Sequence, residues 1–149
     1  MRVLSDILIA DDEEQITDLL AELLTDAGYR VRVVYDGGSA LAAVHERTPA
    51  LMLLDNMMPV QSGLEVVRTL RAQGYNQLPI IMMSAGTAAE PLLQAGATDV
   101  LLKPFSLDDL LNCIREYIGD TLPHPVPRRE KEMKRYESPK ELPRRALRG

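Results

Sequence analysis

Five short apolar-rich runs punctuate the chain: "ILIA" (7–10), "VRVV" (31–34), "LMLL" (51–54), "IIMM" (80–83) and "VLL" (100–102). Most are bounded by Gly, Pro or acidic residues and are too short for helices, so they read as strands. Between them the apolar positions switch to helical spacing. Ile16, Leu19, Leu20, Leu23 and Leu24 mark one face of a helix that Gly28 stops. Ala40, Leu41 and Val44 mark a second helix ending before Pro49. Leu64, Val67 and Leu70 mark another before Gly74. Leu107, Leu110, Leu111, Ile114 and Ile118 form the last face, behind Ser106 as N-cap. Strand and helix alternate five times. Strands that are apolar throughout are buried on both sides, which predicts an α/β fold with a parallel sheet covered by helices on both faces.

Composition refines this picture. Hydrophobic residues make up 46% of the chain but aromatics only 4%, so aliphatic side chains must build the core. The net charge of −5 hides an asymmetry: residues 1–119 carry 8 basic and 17 acidic side chains, whereas residues 120–149 carry 9 and 5. The second segment also has five prolines and few large aliphatics, and cannot bury a core of its own. The expected organisation is a globule over 1–119 and a basic Pro-rich tail or linker over 120–149. That tail could dock on the acidic globule of its own or another chain. No apolar run approaches the roughly 20 residues that span a bilayer, and "MRVLSDILIADDEE" is not a signal peptide. The single cysteine, Cys113, excludes an internal disulfide and reads as a buried, inert thiol. A cytoplasmic protein without membrane contact is expected. Met57, Met58, Met82 and Met83 read as core filler. His45 and His124 read as surface residues.

In open parallel sheets, function gathers at the carboxyl ends of the strands. Strand 1 delivers Asp11, Asp12, Glu13 and Glu14. Strand 3 delivers Asp55, strand 4 Ser84, and strand 5 Lys103 followed by Pro104. Clustered carboxylates repel unless a cation sits among them, and hard oxygen ligands suit Mg²⁺. Asp55 is then a candidate nucleophile for a phosphoryl group, with Lys103 and Ser84 to meet its oxygens. Each residue has a plainer role available: the acid pair at a helix N-terminus, Ser84 as a cap, Lys103 as a solvated surface charge.

The joint set "ILIADDEE", "LLDNMMPVQSG", "IIMMSAG" and "AGATDVLLKPF" resembles the receiver domain of two-component response regulators over roughly residues 5–118. The resemblance implies a flavodoxin-like, doubly wound five-stranded sheet of order 2-1-3-4-5. It implies Asp55 as phosphoacceptor, with Asp12, Asp55 and the Met57 carbonyl as direct Mg²⁺ ligands and Asp11 acting through water. Ser84 becomes the switch hydroxyl, Lys103 the phosphate-contacting lysine, and the Lys103–Pro104 bond is expected to be cis. The implied partners are a sensor histidine kinase or phosphotransfer protein upstream and a protein effector downstream, with a homodimer as one assembly. Such a receiver is no enzyme in the ordinary sense: it catalyses its own phosphoryl transfer and slow autodephosphorylation.

Three positions depart from the family pattern. Only 12 positions separate Ser84 from Gly96, with Pro91 among them, so the fourth helix should be short. Val100 stands where an aromatic is usual, and Ser62 where an acid is usual. With no aromatic to swing, output is expected through residues 85–95. Two other classes compete with a signalling receiver. A flavin-binding flavodoxin-like module would need a phosphate loop where "DDEEQI" stands, and an aspartate-nucleophile phosphatase would need an acid at Met57. A Pro-rich tail of 30 residues cannot form a helix-turn-helix unit, so no direct DNA binding is expected. The chain reads as a single-domain regulator or a fragment.

Overall fold

The computed structural model describes residues 5–86 and 89–119. The basic tail with its docking expectation, His124, and residues 87–88 of the expected output segment lie outside the described residues. Five strands alternate with five helices: β1 (Asp6–Ala10), α1 (Glu14–Asp26), β2 (Arg30–Val34), α2 (Gly37–Glu46), β3 (Leu51–Asp55), α3 (Gly63–Ala72), β4 (Ile80–Ser84), α4 (Ala89–Ala95), β5 (Asp99–Leu102) and α5 (Leu107–Ile118). All pairings are parallel, in the order β2-β1-β3-β4-β5. The flavodoxin-like order implied by the sequence motifs is therefore the observed one, and α4 has seven residues, as the short Ser84–Gly96 spacing requires.

Side-chain alternation along the strands builds two cores. Leu8, Ala10, Met52, Leu54, Ile80, Met82 and Val100 face one way, against α2, α3 and α4. Ile7, Ile9, Leu51, Leu53, Ile81, Met83 and Leu101 face the other, against α1 and α5. The central strands are buried along their whole length, so each needs apolar residues on both faces. Cys113 is buried in the second core.

Helix ends follow local chemistry. Ser62 and Ser106 each form a capping box, with Glu65 and Asp109 respectively. Gly28 and Gly74, just beyond α1 and α3, both take positive φ, which ends a helix without a Cβ penalty. Arg71 in the last turn of α3 ties the rear of the sheet together. Its guanidinium donates to the carbonyls of Tyr75, Leu78 and Gly96 and to Thr98 Oγ1, which also accepts from the Ile80 amide.

Two expectations need correction. Leu24 is buried and Leu20 packs on the core, but Ile16 and Leu19 are 49% and 55% exposed. Thr17 is buried on that face instead. The apolar stripe of α1 is wider than the sheet surface beneath it. Met82 and Met83 are core residues, but Met57 is 74% exposed. The chain leaves the sheet directly after Asp55, and no layer remains to cover Met57.

Candidate functional site

The parallel sheet brings the carboxyl ends of β1, β3, β4 and β5 to one edge, where Asp11, Asp55, Ser84 and Lys103 lie. Asp55 ends β3 and is 5% exposed. Lys103, one residue beyond β5, donates from Nζ to Asp55 Oδ1 at 3.1 Å. The same ammonium lies 3.6 Å from Glu13 and 3.7 Å from Asp11. The Lys103 amide donates to the Ser84 carbonyl, which registers the lysine on the end of β4. The Lys103–Pro104 bond is cis. Behind the acids, buried Thr17 donates from Oγ1 to the carbonyls of Glu13 and Asp11, and the Glu13 amide donates to Asp11 Oδ1. This small network fixes the loop that carries Asp11 and Asp12.

Burial raises the Asp55 pKa to about 6; repulsion from Asp11 and, more weakly, Asp12 adds to this, and attraction by Lys103 opposes it. Lys103 loses by partial burial but gains more from Asp55, Asp11 and Glu13, so its pKa rises. The site is thus short of positive charge. One oxygen each of Asp11, Asp12 and Asp55 can be chosen so that all three lie within 4.8 Å of one another. Asp11 Oδ2 and Ser84 Oγ are buried and have no hydrogen-bond partner among the described residues. Buried polar atoms are normally paired, so both have capacity for a group that joins the site. A buried carboxylate oxygen that accepts no hydrogen bond, in a cluster of three acids beside one ammonium, fits a hard divalent cation.

The structure therefore brings together Asp11, Asp12, Asp55, Ser84 and Lys103. Met57 belongs to the loop after Asp55 with its side chain in solvent, so only its carbonyl remains as the expected ligand. The thioether cannot supply the acid–base group that an aspartate-nucleophile phosphatase needs at that position. Sequence reasoning left two residues without a role here, Thr17 and Glu13. Thr17 stands out only as a hydroxyl on an apolar helix face. Glu13 is one of four consecutive acids, and spacing does not say which of them turns inward.

An open doubly wound sheet with this constellation at its carboxyl edge defines a receiver-type fold, and the comparisons agree. The chain belongs to the response regulator receiver domain family, whose model matches residues 7–115. It is 38% identical over 112 residues to the DNA-binding response regulator MtrA of Mycolicibacterium smegmatis, covering 73% of this chain and 48% of that protein. It is 38% identical over 120 residues to the response regulator MprA of Mycobacterium avium, covering 78% and 52%. Among solved structures, the receiver domain of NtrX from Brucella abortus superposes with a TM-score of 0.70 at 35% identity, covering 76% of this chain and 98% of that one. The chemotaxis protein CheY4 of Vibrio cholerae gives 0.72 at 33% identity, covering 77% and 99%.

The chain spans about half the length of the curated relatives it matches. This corrects the expectation of no direct DNA binding: MtrA, a relative matched over 112 residues, is named a DNA-binding regulator. The expectation rested on the composition of residues 120–149 alone. The matched half is the receiver, and a receiver sequence does not determine what such a regulator binds elsewhere. Among the described residues no helix is long and apolar enough to cross a membrane.

Proposed function

We propose that this receiver accepts a phosphoryl group on Asp55 from a phosphohistidine of a sensor kinase, in a Mg²⁺-dependent transfer, and relays that state to a partner. The observation that carries the reading is buried Asp55 at 3.1 Å from Lys103, at the same sheet edge as a Ser84 hydroxyl and an Asp11 oxygen that make no hydrogen bond among the described residues. A carboxylate oxygen of Asp55 attacks phosphorus. The P–N bond to the donor imidazole breaks, and its electron pair returns to the ring nitrogen. Lys103 meets one oxygen of the transferring group, and Ser84 Oγ donates to another. Asp12, Asp55 and the Met57 carbonyl would hold the Mg²⁺ directly and Asp11 through water; the ion supplies positive charge against the phosphoryl oxygens. The protein's part is positioning and charge stabilisation, so it turns over no separate substrate. The acylphosphate returns to carboxylate by slow hydrolysis.

A small phosphodonor with Mg²⁺ should add the mass of one phosphoryl group, read by intact mass spectrometry. Asp55→Asn and chelation of the metal should each abolish the gain. A base-labile phosphate on the Asp55→Asn protein would overturn the assignment.

A further inference from the structure

Glu13 occupies the N-cap position of α1, but its side chain makes no capping hydrogen bond. Three bonds hold its backbone: its amide donates to Asp11 Oδ1, and its carbonyl accepts from the Thr17 amide and from Thr17 Oγ1. Only the side chain remains free, and it turns toward Lys103, with Oε1 3.6 Å from Nζ. Lys103 thus faces three carboxylates. Asp55 and Asp11 are buried, whereas the Glu13 side chain is 55% exposed and stands on the solvent side of the ammonium.

We propose that Glu13 is a positioning and specificity residue for phosphoryl transfer: its carboxylate engages Lys103 before transfer and selects against highly anionic free donors. The inference rests on the transfer proposed above. A phosphorylated Asp55 carries a charge of about −1.5 to −2 and needs the same ammonium. Glu13 and the incoming group therefore compete for Lys103, and they also repel each other. Both effects slow uptake from small dianionic donors. Both fall with salt, because Glu13 is exposed. A purely structural residue at an N-cap would show neither dependence.

The test compares Glu13→Gln and Glu13→Asp with Glu14→Gln, which removes the same charge one residue away. Uptake at saturating Mg²⁺ is measured with dianionic acetyl phosphate and with monoanionic phosphoramidate. For acetyl phosphate at low salt, Glu13→Gln should raise the second-order rate constant of uptake about two- to fivefold, the range expected for loss of an exposed ion pair. The gain should be smaller for phosphoramidate and should vanish near 1 M salt, where the Debye length is about 3 Å. Glu13→Asp keeps the charge and should stay close to wild type. Separately, without donor or metal, the ¹⁵N signal of the Lys103 ammonium at fixed pH should move in Glu13→Gln and not in Glu14→Gln. An unmoved Lys103 signal, a gain no larger than that of Glu14→Gln, or a gain that persists at high salt overturns the role of Glu13. Wild-type protein that takes up no phosphoryl group overturns the transfer reading instead, and the ammonium signal still decides the Glu13–Lys103 contact.

Discussion

Replacing Asp55 with Asn should make the metal-free protein more stable, although it removes a hydrogen bond to Lys103. Asp55 titrates near 3.8 in an unfolded chain and at about 6 in the fold. A raised carboxyl pKa means the native state binds more protons than the unfolded state between these values. The contribution of Asp55 to stability is therefore most favourable below about 4 and is lost as pH rises through about 6. At about 1.4 kcal/mol per unit, the penalty for ionised Asp55 is about 3 kcal/mol at pH 8, about 2 at pH 5.5 and about 1 at pH 4.5. The attraction of Lys103 is already counted in the displaced pKa. Asn is a neutral isostere that escapes the penalty, so the gain in Asp55→Asn should track these figures and shrink as pH falls. Urea unfolding followed by far-UV circular dichroism, with chelator present, measures it. The chain has no Trp, so fluorescence is a poor alternative. Equal stabilities at pH 8, or a difference that grows on acidification, would refute the reasoning.

Two further outcomes follow from the loop after β3. Val60 takes a φ of 72° and is 79% exposed, a strained backbone for a β-branched residue with little burial to offset it; Val60→Gly should raise stability by about 1 kcal/mol in the same urea assay. Met57, two positions past the phosphoacceptor, offers no polar group to orient a water, so the acylphosphate should be long-lived. Met57→Asn or Met57→Glu should shorten its lifetime on the order of tenfold, below the full effect of a well-placed general base, and unchanged decay in both variants would remove the argument.

Much of this molecule is legible in its sequence because a doubly wound sheet leaves strong marks. A run such as "LMLL" has no polar face, and only a strand covered on both sides uses such a run at that length. The same rule puts Asp55, Ser84 and Lys103 at one edge, since all three follow apolar strands that run parallel. Periodicity says less about helices. It marks Ile16 and Leu19 as apolar-face residues, but it cannot say how wide a stripe the sheet will cover. Composition misplaces Met57 among the core methionines, because burial there depends on where the chain leaves the sheet. Nothing in "PVQSG" picks out Val60 for the left-handed conformation. The loop there seats Gln61 close against Gly37, where an added Cβ would collide with the Gln61 carbonyl oxygen.

The Arg71 clamp has a mechanical consequence. It grips the carbonyl of Gly96 and the hydroxyl of Thr98, immediately beyond the carboxyl end of α4. That end is pinned to α3 and to the start of β4. The amino end of α4 follows the Ser84 segment, and Gly86 within it takes a φ of 76°. The carboxyl end of α4 is therefore held by polar bonds, and its first residue, Ala89, is held by packing in the core. Its seven residues span about 10 Å, so a 1 Å displacement at the amino end would tilt its axis by about 5°. A helix twice as long would turn half as far. For a given displacement at one end, the short α4 would therefore turn through a larger angle than a helix of ordinary length.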